Sequence, residues 1–499
     1  MKKKIFITLC IIVLLFSCKT TPPAPKIEGL ETASSFMKSN VPLISEYSLD
    51  NGIKVIVKKQ DTNRIFTLNV VYSGGLALIP EGKDGLESLT LSMMLRGSKK
   101  YSYEDIKKIS SENSSAMSAN TGIDLSWLNL TTIDKYWNQM LDVFTDSIMN
   151  PVFDEKELEL VKKAALMDIK KRMSDPYDFT VTKLHEKTFK GHPYSIEKDG
   201  TESSVSAMKI EDLKQWYTEK LTADRMFIVA VGNFKPSSLI AQLNKTIGKI
   251  PVKQNEIPEV KKLDIKQNLF TEAFEESKGI AYIRGDYIIP PVQSKDFTTL
   301  RFTYTILNEL LFEIVRTQNA ACYSVWTNAH GFNSTYGSLV VFKSDKPTKA
   351  KTTFDEAIAV LASGQTINLK GQGIKSGEGS VTQSSGNTYA PIAENLEAYK
   401  SKFINGFFGN QLTNSDAAAQ IMYSQAYYGN PYEYLKMIDN INAITSEDII
   451  RVTNDYIVNG KVSWMVVADK ETLSKLDKSK FMKFTGNIKN KNVKVIQKP

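Results

Sequence analysis

The sequence is poor in the residues that build covalent or metal-held frameworks. It has 3 Cys and 3 His among 499 residues. That excludes a disulfide scaffold and a Cys-rich zinc or iron–sulfur site. Residues 60–184 contain no His at all. No uninterrupted apolar stretch is long enough to cross about 30 Å of hydrocarbon as a helix, which excludes a polytopic membrane protein. The net charge of +8 is dispersed, with no basic stripe carrying interleaved aromatics, so nucleic acid is not an expected partner. There is no G-x-S-x-G and no P-loop. Gly371-Gln372-Gly373 approaches a dinucleotide fingerprint, but Ser376 stands where the third Gly belongs and no strand precedes it. The pattern S-x-x-K occurs at Ser35/Lys38 and at Ser206/Lys209, in contexts that give it no catalytic meaning.

What is present is an ordinary folding mixture of 42% apolar and 24% charged residues, enough for two or three domains. Residues 1–18 carry a signal-peptide pattern. Lys2, Lys3 and Lys4 precede the apolar run from Ile5 to Ser17, and Leu15-Phe16-Ser17-Cys18 resembles the bacterial lipobox. Cys18 is therefore the expected lipidation site. The polar, Pro-rich 19–42 reads as a tether. The expected location is the bacterial cell envelope, as a lipoprotein facing the periplasm, on the outer membrane. Cys322 has no pairing partner and reads as a small core residue.

Asn51-Gly52 sits between two strand-like runs, a hairpin signal. Strand patterns follow at FTLNVVYSGG and MFIVAVGNF, and helical spacing at Leu86–Leu95 and 153–174. The order helix, break, apolar strand, turn and amphipathic helix occurs at 213–243 and again at 449–476, which points to an internal duplication. The polar stretch 363–387 reads as an exposed loop. The fold class is α+β: two homologous domains, 43–250 and 267–490, each a mostly antiparallel sheet packed with helices, joined by a linker at 251–266.

Seven segments in order resemble the pitrilysin/insulinase family of metallopeptidases in its two-domain form of about 50 kDa. Among them are LDNGIKVIV (49–57), GLESLTLSMMLRGSKKYS (85–102), FDEKELELVKKAALMDI (153–169), FKGHPYSIEKDGT (189–201) and LLFEIVRTQNAACYSV (310–325). The resemblance implies an H-x-x-E-H zinc motif on a helix, with a third ligand about 76 residues further on. Counting back from Gly97-Ser98 puts that motif on Ser88-Leu89-Thr90-Leu91-Ser92. Both ligand positions are Ser, the general-base position is Leu91, and the third ligand position is Asp168. A hydroxyl is a weak neutral zinc ligand, and Leu91 cannot accept a proton. The chain is thus expected to bind no metal itself and to be inactive alone. An active protease with a relocated site would need His185, His192 or His330 to converge on Asp168.

The family also uses an Arg and a Tyr seven residues apart to hold the substrate carbonyl and its developing oxyanion. Arg316 and Tyr323 have that spacing here. The resemblance therefore implies a non-catalytic subunit of a heteromeric peptidase, with zinc on a homologous partner chain and a peptide or unfolded polypeptide as substrate. The alternative is a catalytically dead peptide-binding or scaffold lipoprotein of the cell envelope.

Overall fold

The computed structural model describes residues 27, 29–369 and 389–487. The signal segment with Cys18, the near-miss at 371–376 and most of the 363–387 loop lie outside the described residues.

The first half is built on a six-stranded sheet. Its strands are β1 (Ile44–Ser48), β2 (Lys54–Lys59), β3 (Ile65–Ser73), β4 (Ala116–Thr121), β5 (Leu125–Ile133) and β6 (Met226–Gly232). Their order is β1-β2-β6-β3-β5-β4. Asn51-Gly52 makes the β1–β2 turn as expected, with Gly52 at φ +85°, a conformation that favours a residue without Cβ. The second half has β7 (Asn268–Ala273), β8 (Ala281–Ile288), β9 (Ser324–His330), β10 (Tyr336–Ser344), a short pair β11 (Gln365–Ile367) and β12 (Tyr389–Pro391), and β13 (Val462–Ala468). Its main sheet runs β7-β13-β8-β10-β9.

The two sheets share one topology. In each, the last strand of the half enters the middle. Setting aside β1, an extra edge strand on β2, it pairs parallel with the first strand (β2 with β6, β7 with β13) and antiparallel with the next (β3 with β6, β8 with β13). All other ladders of the two main sheets are antiparallel. The duplication read from the sequence is therefore a duplication of strand order, and each half is the expected α+β unit. All seven residues of β6 and all seven of β13 are buried, because both faces of these strands are covered.

The covering helices are exchanged between halves. Helix Pro176–Thr188 leaves the first half and packs on β8 and β13, where Leu184 meets Met465 and Val467. Helix Asn414–Tyr428 crosses the other way and packs on β3 and β6, where Ala418, Ile421 and Met422 join Val71, Val229 and Val231. Neither half buries its sheet alone.

Two connecting segments depart from expectation. The end of the 19–42 stretch is not a free tether. Ser35–Asn40 is a helix capped by Ser34, whose side chain and backbone both bond the Asp439 carboxylate, and Met37 and Val41 are buried against the second half. The apolar Met37 and Val41 supply the reason. The linker 251–266 has no regular structure but is a strap. Leu263 and Ile265 are buried with Phe189, Tyr194 and Tyr336. The described start of the polar loop is also partly buried, since Thr366 and Ile367 pair with β12.

Candidate functional site

Helix Leu86–Met94 starts after Gly85, at φ +84°, where a Cβ would lie 2.8 Å from the Cα of Gly200. This close approach holds the helix start against the loop that precedes Glu202–Ala207. Ser88 and Ser92 are one turn apart and share a face. They look across at helix Glu155–Ser174, which carries Asp168 and Arg172. Together these side chains line a cavity of about 480 Å³. The structure thus brings three of the four predicted motif positions together. Among the described residues, none of Ser88, Ser92 and Asp168 has a side-chain hydrogen bond or ion pair. The fourth, Leu91, is on another side of the helix, wholly buried in the core of the first half.

The donor set does not fit zinc. It offers two neutral hydroxyls and one carboxylate, and no imidazole. No group of three or more His, Cys, Asp or Glu is placed to hold a metal among the described residues. The two arginines at the rim are engaged elsewhere. Arg96 lies 4.4 Å over the Tyr103 ring and 3.4 Å from Glu157. Arg172 bonds the Gly200 carbonyl and pairs with Glu197. An adjacent flank of the same helix, with Met167 and Met173, lines a larger groove of about 1640 Å³ that reaches Phe274 of the second half.

The histidines gather at a different acid. His185 Nε2 lies 3.1 Å from Asp286, and Arg284 Nε donates to Asp286 at 2.9 Å. His330 Nε2 lies 3.1 Å from Ser338 Oγ and 3.4 Å from Arg284. Asp286 is fully buried, which opposes its charge, but Arg284 and His185 outweigh burial and hold its carboxyl below the usual range. Burial, with Arg284 beside it, pushes His330 down to about 3. His192 accepts from the Tyr194 N–H through Nδ1, and its Nε2 faces the Lys261 carbonyl. None of the three is bonded to Asp168, the convergence that a relocated metal site would need.

Sequence reasoning missed this cluster and a second one. Glu87, one residue before Ser88, is buried with Arg225, which also donates to the carbonyls of Ser73 and Lys220. A signal was available in each case: charges inside an otherwise apolar strand (Arg284 and Asp286 in IRGDYI) or helix (Glu87 in GLESLTL) need buried partners.

Arg316 and Tyr323 are brought together. Helix Lys295–Leu311 runs into a π-helical turn, Phe312–Gln318, which widens the last turn around Arg316. Ala320 follows at φ +46°, a strained conformation for a residue with a Cβ, and turns the chain into β9. The guanidinium lies 4.8 Å over the Phe312 ring and 5.3 Å over the Tyr323 ring. Arg316 is exposed, and Tyr323 is 63% exposed. The Tyr323 ring continues through Phe342 to Trp326 and Tyr177 in one half-exposed aromatic surface. Tyr177 follows the Asp168 helix after a single break, so both candidate positions hang on one continuous stretch of structure. Cys322 is half-buried, and burial pushes its thiol up to about 11, which suits a core residue and not a nucleophile.

Comparison with known proteins identifies the family and the fold. The profile of Insulinase (Peptidase family M16) matches residues 54–202, and that of the Peptidase M16 inactive domain matches residues 207–366. The chain is 24% identical over 212 residues to the uncharacterized zinc protease YmxG of Bacillus subtilis, covering 42% of this chain and 51% of that one. It is 20% identical over 184 residues to the non-peptidase homolog YmxG of Helicobacter pylori, covering 37% and 43%. It is 21% identical over 203 residues to the probable mitochondrial-processing peptidase subunit beta of Arabidopsis thaliana, covering 41% and 38%. The chain thus spans about half the length, or less, of these curated relatives. The peptidase M16 inactive domain from Pseudomonas fluorescens superposes with a TM-score of 0.72 at 16% identity, over 86% of this chain and 98% of that one. A chain of complex III2 from Candida albicans superposes with a TM-score of 0.69 at 13% identity, over 89% and 100%. With two family profiles along most of its folded length, this chain belongs to the insulinase family, peptidase family M16, as a member whose sequence lacks H-x-x-E-H.

Proposed function

We propose that this chain is the non-catalytic subunit of a heteromeric zinc metallopeptidase of the cell envelope, acting on peptides or unfolded polypeptides. A homologous partner chain supplies the metal and the general base. This chain supplies Arg316 and Tyr323. The observation that supports the reading is the placement of Arg316 over the exposed Tyr323 ring at 5.3 Å, while the expected motif positions Ser88, Leu91, Ser92 and Asp168 offer no imidazole. A fixed guanidinium beside a phenol hydroxyl suits a peptide carbonyl whose oxygen gains charge. Among the described residues, β9 pairs with β10 alone, and the Asn308 amide takes the outward N–H and C=O of Thr327, so an extended peptide would add as a further strand only along the part of this edge nearer Tyr323. The relatives lend support, since one is named as a subunit of a processing peptidase and one structural neighbour is a chain of a multisubunit complex.

The second reading is a dead peptide-binding or scaffold lipoprotein, favoured by the relative named a non-peptidase homolog. Arg316→Ala separates the two in the partnered complex. The first reading predicts a fall in kcat of about 10²–10³, the scale for loss of one oxyanion donor, with assembly and zinc content unchanged. Unchanged turnover would leave the pair without a catalytic share and favour the second.

A further inference from the structure

The cavity of about 480 Å³ between helices Leu86–Met94 and Glu155–Ser174 is lined by polar groups that the fold itself does not use. Ser88 and Ser92 are half-buried in the first of these helices, where a hydroxyl commonly bonds back to the carbonyl four residues earlier. Thr90 in the same helix does so, donating to the Leu86 carbonyl at 2.7 Å. Ser88 and Ser92 do not. The Asp168 carboxylate, on the facing helix, is exposed and has no ion-pair partner among the described residues.

The charged side chains that line the cavity are Arg96, Asp168, Arg172 and Asp199. Arg96 is held by Glu157 at 3.4 Å and by the Tyr103 ring. Arg172 is held by Glu197 at 3.3 Å and Asp199 at 3.8 Å, and Asp199 also pairs with Lys198 at 2.6 Å. Of the four, only Asp168 is unpaired, so the charge the cavity offers to a ligand is negative. Buried Leu89, Val161 and Ile169 form apolar walls, and Ala164 and Ala165 leave room between them. The donor set that fails zinc also fails calcium and magnesium, which take about six or more oxygen ligands.

We propose that this cavity, at the expected metal position, binds the ammonium group of a peptide, from a lysine side chain or a free amino terminus. An ammonium carries one charge and three N–H donors. Ser88, Ser92 and Asp168 supply one opposite charge and three accepting groups. The bond to the carboxylate is charge-assisted and carries most of the affinity. The carbons next to the nitrogen pack on Leu89, Val161 and Ile169. The inference shares with the proposed function the peptide as ligand, but it needs no partner chain. It is therefore tested on this chain alone, and its failure leaves the reading of Arg316 and Tyr323 standing.

The test titrates the purified full chain with n-butylammonium, n-butyltrimethylammonium and n-butanol at neutral pH, where an alkylamine is protonated. Affinities are read by ligand-detected NMR. The proposal predicts saturable binding of butylammonium, about tenfold tighter than either control, the scale of one charge-assisted hydrogen bond. Asp168→Asn removes the charge and keeps the shape. Ala164→Leu fills the cavity and removes no polar group. Each is predicted to weaken butylammonium binding about tenfold in a chain whose thermal unfolding shows it folded. No saturable binding, equal affinity for the trimethyl compound, or an affinity unchanged by Asp168→Asn would overturn the proposal. Competition by Nα-acetyl-lysine N-methylamide assigns the site to a lysine side chain, and competition by leucine N-methylamide assigns it to an amino terminus. Competition by neither would overturn the assignment to a peptide.

Discussion

At position 91, the expected general-base position, the side chain serves packing. Leu91 fills space in the core of the first half, and a carboxylate there would be buried without a partner. Ser88, Ser92 and Asp168 are different, because they face a cavity and hold no internal partner. On the expected alignment, the helices that would present metal ligands thus face one another across one cavity. Ser88→His, Ser92→His and Asp168→Glu combined are predicted to bind one zinc per chain by metal analysis after dialysis, whereas the parent chain binds none stoichiometrically. Hydrolysis would not return, because no base is restored. Absence of zinc from a folded triple variant would show that the helices have moved out of register. The shared face of Ser88 and Ser92 was legible in the sequence because the i, i+4 spacing fixes it. The Glu87–Arg225 pair was not, since 138 residues separate the partners and no local pattern links them.

At the scale of elements, the exchanged helices join the two halves. Helix Pro176–Thr188 brings His185 to Asp286, where Arg284 and His330 also meet. His330 stays neutral in the fold down to about pH 3 but takes a proton near its ordinary 6.5 once unfolded. The unfolded chain therefore binds more protons between those limits, so this contribution is complete above about pH 6.5 and is lost as pH falls toward 3. Asp286, also held low, acts in the same direction below its ordinary value of 3.8. The urea midpoint is predicted to be lower at pH 5 than at pH 7.5, and His330→Asn to flatten that difference. A midpoint that does not change with pH would contradict this. The strands, the long helices and the duplicated order could be read from periodicity. The exchange could not, because an apolar face shows that a helix is covered without showing which sheet covers it. The Ser35–Asn40 helix was hidden by the Pro-rich composition around it, and the π-turn at Arg316 by the absence of any sequence signal for one.

At the scale of the whole molecule, the first half has no imidazole at the expected motif positions, and the second half places Arg316 over the Tyr323 ring. Under the proposed function, such a chain takes part in peptide hydrolysis only beside another chain. The family was legible from the order of its segments, each weak alone. The partner was not, because nothing in one sequence encodes the residues of another. The most direct measurement is to recover the natively expressed, tagged protein from detergent extract, identify what accompanies it, and assay zinc in the recovered material. The account predicts a homologous chain bearing H-x-x-E-H at about one to one, with zinc in proportion to that chain. Recovery of this chain alone and free of metal would contradict it.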